Sequence, residues 1–544
     1  MMDINRVILE LLDKRGINGD ENIREFLSPK PLLTYDPFLL KNMKEGVDLI
    51  LDNVNKNNKI CIYGDYDADG VTSVSILMEV FTKFTDNVTY YVPSRFEEGY
   101  GLNKVAIKEL HDEGINLIIT VDCGIVSFDE VDYAKELGMD IIVTDHHSLG
   151  DKLPNCLVIN PKQEGCNYPF KSLAGCGVSF KLSQALQRTL DLPKSTINRV
   201  LDLVALGTIG DVVPLVDENR TMVKYGMAEM LSGRRDGLNK LIKKTVKDTN
   251  KMTSENISYG IVPHLNAAGR MESAKIGIEL FTSKDDIIQD EKVEKLLDLN
   301  KQRKLLQQET FEKCIDTYEK QYTEYEFPII KMDYAHEGIT GIVAGKMKDY
   351  CNKPVAIVTK DGENYKGTCR SIEAVDIYEV LSKERNLFLK FGGHSSACGF
   401  TIEESKIDLL QNNIEMTMSN MDIDKEGDSF KYDLVLKGED ISLDLAKELL
   451  LLEPFGCENE KPTFLIKDVI VKDIIYMGSN KEHMKFKAEI NGYGKLDCIC
   501  FNYTHIFKFD IYQGCILDIV GSFDINYWNG REKLQFMINN IKLS

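Results

Sequence analysis

No stretch of the 544 residues approaches the run of about 18 apolar residues that a membrane-spanning helix requires, so no transmembrane segment is predicted. The thirteen cysteines lack pairing logic: their number is odd, they are scattered, and none has zinc-knuckle spacing. Only Cys498 and Cys500 stand close, on alternate positions of an expected strand. Reduced, mostly buried thiols in a reducing compartment follow. The opening MMDINRVILELLDKRGI is an amphipathic helical pattern with acids inside it, not a signal peptide, and a cytoplasmic location is expected. Low-complexity tracts, internal repeats and any Ser or Cys nucleophile motif are missing as well. Positive charge is in deficit, with 66 Lys and Arg against 86 Asp and Glu, a net charge of -20. That balance argues against coating nucleic acid or acidic membranes by bulk charge, while leaving room for a local basic groove.

What is present is an ordinary globular composition, 43% hydrophobic and 28% charged, long enough for three or four domains. Residues 1–55 read as a helical preamble broken by Pro29, Pro31 and Pro37. From 56 to 285, short apolar strands (KICIYGD, NVTYYVP, LIITVDCG, DIIVTDHH) alternate with helical patterns, the signature of a parallel sheet. Residues 286–325 carry a long charged helical pattern without Gly or Pro, expected to bridge two domains. A second α/β unit is expected over 326–428, and 429–544 is strand-rich with Gly-containing turns, as in a small closed OB-like barrel. The fold class is therefore α/β: a parallel-sheet domain joined by a long helix to a smaller α/β domain, followed by an all-β barrel.

The sharpest signal is CIYGDYDADGVTS, which places Asp65, Asp67 and Asp69 at every second position after a buried apolar run. Two further strands end the same way, IITVD at Asp122 and IIVTDHH at His146 and His147, and LVALGTIGDVVPL offers a fourth strand-like run ending at Asp211. In parallel sheets, ligands gather beyond the carboxyl ends of the strands. Each motif alone is more often a turn, but four in order, holding two of only eight histidines, form a constellation. Carboxylates with some imidazole suit Mn²⁺ or Mg²⁺. One divalent ion falls far short of five aspartates, whereas two ions sharing a carboxylate offset most of their charge, and paired metals are a standard device for phosphate-ester displacement. Metal-assisted hydrolysis of a phosphodiester, with water as the nucleophile, is the expected chemistry.

GDYDADG, VDCG, TDHH and GTIGDVVPL, continued by LNAAGR (265–270), HEGITGIVAGK (336–346) and FGGHSSACGF (391–400), resemble the ordered motifs of the DHH phosphoesterase superfamily, in its RecJ branch with a DHHA1-type second domain. IREFLSPKPLL and the terminal barrel extend the resemblance over nearly the whole chain, which is expected to stop after the barrel without the extra C-terminal domain of some longer members. The resemblance implies a single-strand-specific 5′→3′ DNA exonuclease of repair and recombination that releases 5′-mononucleotides. It implies that Asp65 and Asp67 hold a first metal, that Asp122 bridges, and that Asp69, His146 and Asp211 complete the second, with His147 free to reach the scissile phosphate or the leaving oxygen. Asp65 alternatively orients a ligand from outside the coordination sphere, and so does His147.

For the substrate, the resemblance points to the second domain. Gly392, Gly393 and His394 are expected to form a small-residue turn whose amides approach a phosphate. His336, with Gly338, Gly341 and Gly345, is expected to precede a helix whose N-terminus favours anions. Arg370 and Ser371 end an expected strand and suit a 5′-phosphate, and Arg270 projects toward the scissile site. The chain departs from the family at Ala335, where Trp is usual, and at Val262 and His264, where Gly and Arg are common, which removes a stacking surface and a phosphate contact. In the barrel, Phe486, Tyr503, Tyr527, Trp528, Arg531 and Lys533 interleave aromatics with cations, as single-strand platforms do, although barrel cores also hold aromatics. Trp528 and Arg531 flank an expected exposed turn. Implied partners are single-stranded DNA, a RecQ-type helicase and a single-strand-binding protein, with no membrane and a monomeric state. The alternatives are a DHH-type phosphodiesterase for cyclic dinucleotides or short oligonucleotides, against which the 429–544 barrel argues, and a non-catalytic replication scaffold, against which the full ligand set argues. DNA and RNA are not distinguished.

Overall fold

The computed structural model describes residues 4–96, 98–421, 430–479, 481–503, 511–528 and 530–543. The chain divides into two compact units, one formed by Met1–Pro93, Glu98–Val262 and Ser429–Ser544, the other by Ser94–Glu97 and Pro263–Asp428.

The first unit opens its sheet with β1 (Lys59–Tyr63), β2 (Val88–Tyr91), β3 (Ile115–Thr120), β4 (Asp140–Thr144) and β5 (Leu157–Ile159), in the order β2-β1-β3-β4-β5. All pairings are parallel. Side chains of β1, β3 and β4 are almost wholly buried, because helices cover both faces, which is why these strands read as continuous apolar runs. The fourth strand-like run is corrected: LVALGTIG is a helix, Leu201–Gly210, and Asp211 is its C-cap. A short apolar run buried on all sides carries no periodicity, so strand and helix look alike in sequence. Gly207 lets that helix lie close, since a Cβ there would stand 2.3 Å from Thr72 Oγ1 and 2.8 Å from Asp69 Oδ1.

In the second unit, β6 (Ile329–Lys331), β7 (Val355–Asp361), β8 (Asn364–Arg370), β9 (Phe388–His394) and β10 (Ala397–Glu403) form a sheet in the order β6-β7-β8-β10-β9. The long helix spans Asp286–Gln321, started by Asp285, whose carboxylate accepts the Ile287 and Ile288 amides. It packs on the Lys275–Thr282 and Glu337–Cys351 helices. Two expectations for this unit are corrected. Gly392, Gly393 and His394 lie in the edge strand β9, not in a turn, and the turn falls after them. Gly393, at φ 142, faces the β10 backbone so closely that a Cβ would stand 2.3 Å from the Ala397 oxygen. Gly338, Gly341 and Gly345 lie inside the helix that begins at Glu337, not before it.

The chain then returns to the first unit with β11 (Leu434–Leu436), β12 (Phe464–Met477), β13 (His483–Ile490), β14 (Gly494–Cys500), β15 (Ile516–Trp528) and β16 (Arg531–Leu543). The order β11-β12-β13-β14-β16-β15, with β12 also pairing β15, closes a five-stranded barrel. Phe486 is fully buried in its core and Tyr503 packs against that core, so neither belongs to a surface platform. The core is completed by Val7, Ile8, Leu11 and Leu12 from the Arg6–Lys14 helix, so the start of the helical preamble is a wall of the barrel, while its Met43–Asn55 helix packs on the parallel sheet. All thirteen cysteines are unpaired, and most are buried. Truncating Leu12 to Ala empties a wholly buried site in this joint core. It is expected to cost about 2–5 kcal/mol, read as a lower urea midpoint for unfolding of the barrel.

Candidate metal centre

The three alternating aspartates acquire different backbone settings as the chain passes from strand to helix. Asp65 follows β1, Asp67 is the N-cap of the Ala68–Phe81 helix, and Asp69 lies in that helix's first turn. Asp67 Oδ1 accepts the amides of Asp69 (2.9 Å) and Gly70 (3.1 Å). Asp69 is buried against the start of a second helix, Gly175–Thr189, whose Gly175 and Cys176 amides donate to its two oxygens at 2.6 and 2.9 Å. That helix end offers unpaired N–H groups to a carboxylate.

Asp122 follows β3 with φ 59, a left-handed conformation uncommon for a residue other than glycine. Its carbonyl accepts the Tyr100 hydroxyl at 3.3 Å. A Cβ on Gly175 would stand 2.6 Å from the Cβ of Asp122, so that glycine admits the ligand. His146 is buried, with Nε2 3.1 Å from Asp122 Oδ1, 3.5 Å from Asp211 Oδ2 and 3.9 Å from Asp69 Oδ2.

These side chains form two adjoining groups, and Asp122 and His146 also group with Asp145 and His147. Ligand atoms of Asp65, Asp67 and Asp122 lie within 4.8 Å of one another, as do those of Asp69, His146 and Asp211. Asp122 Oδ1, His146 Nε2 and Asp211 Oδ2 are buried and make no hydrogen bond among the described residues. Buried polar atoms ordinarily find a partner, and a cation is the partner that suits this donor set. The residues fit Mn²⁺ or Mg²⁺.

Electrostatics agree. Burial raises the Asp69 and Asp122 carboxyls above the ordinary range, and neighbouring aspartates add to the rise. Burial and the Asp69 and Asp67 charges push Asp211 up to about 8. Burial lowers His146 to about 4, leaving its ring neutral and able to ligate. His147 is different: burial works against its charge, but the hydrogen bond and attraction of Asp145 prevail and raise it to about 9. Sequence reasoning assigned no task to Asp145, although TDHH sets it beside both histidines. Its buried Oδ1 accepts the His146 and His147 amides and His147 Nδ1 (2.7 Å), while Oδ2 accepts the Ile125 amide.

The residues expected to take a phosphate lie in the second unit. His336 caps the Glu337–Cys351 helix, its Nδ1 accepting the Gly338 amide, so that nitrogen is engaged. Arg270 donates to the Gly338 carbonyl at 3.1 Å. Arg370 lies along Gly341, where a Cβ would stand 3.2 Å from its guanidinium, and its side chain donates to the Cys369 carbonyl. Among the described residues it has no carboxylate partner, and burial lowers its pKa. Ser371 is buried and donates to the Val375 carbonyl. His394 stands on the exposed β9 edge, with Ser396 Oγ 3.1 Å from its Nδ1. His264 lines a cavity of about 360 Å³ with Lys301 and Lys304. In the barrel, Arg531 is exposed and paired in register with Trp528, whose side chain lies outside the described residues. Tyr527 is exposed under the Lys251 ammonium, and Lys533 pairs with Asp497.

Known families contain this combination of domains. Residues 59–208 match the DHH family N-terminal domain, 326–420 the DHHA1 domain and 432–540 the RecJ OB domain. The single-stranded-DNA-specific exonuclease RecJ of Bacillus subtilis is 38% identical over all of this chain and 69% of its own length. That of Escherichia coli is 31% identical over 98% of this chain and 95% of its own. The crystal structure of RecJ from Thermus thermophilus in complex with Mn²⁺ superposes with TM-score 0.85 at 26% identity, over 99% of this chain and 76% of that one. The chain belongs to the RecJ family.

Two expectations follow from the charges. In metal-free protein the His147 ring titrates near pH 9, and Asp145→Asn lowers its midpoint, because burial is then opposed only by the attraction of Asp211 and Asp69. The charged ring contributes stability that is full below about 6.5 and lost as pH rises through about 9. Imidazole NMR titration checks this, and an unmoved midpoint in Asp145→Asn sinks it. The raised aspartates act on metal binding. Without cations they favour the protonated fold, and stability declines as pH rises from about 4 to about 8. The gain in melting temperature on adding Mn²⁺ is therefore larger at about pH 8 than at about pH 6, and Asp211→Asn flattens the difference.

Proposed function

We propose that this chain is a single-stranded-DNA-specific exonuclease that hydrolyses phosphodiester bonds from the 5′ end to 5′-mononucleotides. The observation that carries the reading is the pair of adjoining acidic groups, with three buried ligand atoms that make no hydrogen bond among the described residues. The family's exonuclease names and its Mn²⁺-bound member support it.

Asp65, Asp67 and Asp122 would hold one divalent cation, and Asp69, His146 and Asp211, sharing Asp122, a second. When bound, such a pair lowers the pKa of water and stabilises charge on phosphoryl oxygens. The protein's share is positional. The Gly175 and Cys176 amides fix both oxygens of Asp69, and Tyr100 secures the Asp122 backbone. Asp145 keeps the His147 ring charged at neutral pH, with Nε2 left to donate to a phosphoryl or leaving oxygen. Arg370, half-buried without a carboxylate partner among the described residues, suits a terminal phosphate. Arg531, Trp528 and Tyr527 are assigned to the strand beyond it. The biological setting is repair and recombination in the cytoplasm, acting on strands exposed by a RecQ-type helicase and held by a single-strand-binding protein.

The test is digestion of single-stranded DNA labelled at either end, with Mn²⁺, Mg²⁺ or EDTA, beside duplex DNA, RNA and a cyclic dinucleotide. Metal-dependent release of mononucleotides from the 5′ end is expected. Asp122→Ala, which removes a shared ligand worth several kcal/mol, is expected to lower the rate by about 1000-fold or more. Cleavage of the cyclic dinucleotide alone, or no cleavage at all, overturns the proposal.

A further inference from the structure

Asp211 differs from the other acidic residues of the centre in having no strand behind it. It caps a helix and opens a short loop, Asp211–Val216, before the Asp217–Leu231 helix. Val212 in that loop is β-branched, exposed and at φ 61, and Asp217 closes it at φ 49. β-Branched residues rarely adopt that region, and such conformations persist only where the surroundings over-determine them.

The surroundings that fix this loop come from the segment leading into the barrel. The Leu215 amide donates to the Cys457 carbonyl at 2.8 Å. Gly456 lies against the Leu215 side chain so closely that a Cβ would stand 2.6 Å from Leu215 Cδ1. Asn219 donates to the Pro214 carbonyl at 3.0 Å from the other side. The segment is itself braced by Arg220, the residue after Asn219. Arg220 is 4% exposed, donates to the Leu452 carbonyl at 2.9 Å and to the Leu451 carbonyl at 3.3 Å, and has no carboxylate partner among the described residues. Asn459 ties the same turn by donating to the Leu452 and Pro454 carbonyls, and Arg15 of the N-terminal region donates to Asn459. The barrel's long strand β12 begins at Phe464, shortly after Asn459.

We propose that the 451–459 arm of the barrel positions Asp211 in the metal centre, with Gly456 and Arg220 as positioning residues. A carbonyl of the arm holds the loop amide, Gly456 leaves room for Leu215 to seat, and Arg220 fixes the arm against the helix that follows the loop. The barrel domain thereby helps to set the geometry of one metal ligand. The proposal rests on the reading of Asp211 as a ligand.

The test measures Mn²⁺ binding to the full chain by calorimetry and by the Mn²⁺ electron paramagnetic resonance signal, without substrate. Gly456→Ala displaces Leu215 and is expected to weaken Mn²⁺ binding by about 10- to 100-fold. Adding Leu215→Ala removes the atoms that the new methyl group meets. The double variant is expected to melt lower than Gly456→Ala, yet to recover Mn²⁺ affinity, a result that a purely structural role does not give. Arg220→Lys, which keeps the charge but not the forked contacts, is expected to weaken Mn²⁺ binding as well and serves if Gly456→Ala does not fold. Wild-type affinity in a folded Gly456→Ala or Arg220→Lys protein overturns the proposal. Wild-type affinity in Asp211→Asn overturns the ligand assignment beneath it, which separates the two failures.

Discussion

Mutual repulsion of carboxylates is the constraint around which the first unit is arranged. Two unit charges about 4 Å apart interact by about 4 kcal/mol at an effective dielectric constant of about 20, and several aspartates meet here with little water. The fold offsets part of this with backbone dipoles. Asp67 receives the start of its own helix, Asp69 receives the start of another, and Asp145 receives three amides and an imidazole. Asp122 Oδ1 and Asp211 Oδ2 accept no hydrogen bond among the described residues, His147 and Lys162 offset the Asp211 charge only in part, and a cation suits the remainder.

The same constraint explains where glycine is indispensable. Gly175 and Gly207 stand where any side chain would strike Asp122, Asp69 or Thr72, so two helices close on the acidic cluster and bury much of it. Burial raises the carboxyl pKa values and leaves His146 neutral, which prepares the set for a hard cation. His147 keeps its charge because Asp145 is committed to it, and it is the more exposed of the two histidines. One motif thus yields a neutral ligand and a charged donor from adjacent positions.

The parallel strands and the acids at their ends were legible because buried strands read as unbroken apolar runs and each run stops at its functional residue. The long helix was legible from 36 residues without Gly or Pro. The Asp211 run was misread because a helix buried on all sides has no polar face to set a period. The glycines after His336 and the Gly392–Gly393 pair were misread because glycine signals close approach without saying whether a turn, a helix or a sheet edge makes it. Asp145 was passed over because a buried carboxylate that orients a neighbour has no spacing of its own.

Residue type and spacing alone carried the chemistry: which acids and imidazoles exist, that they follow apolar runs in order, and that they suit a hard divalent cation. Those properties are local and need no knowledge of what packs against them. The grouping of Asp65, Asp67 and Asp122 beside Asp69, His146 and Asp211 came from the fold, because ligand atoms remote in the chain become neighbours only through helix and strand packing. Packing likewise made the N-terminal helix a wall of the barrel and the barrel's arm a support for the Asp211 loop. Contacts of that range depend on complementary surfaces, which no local pattern encodes.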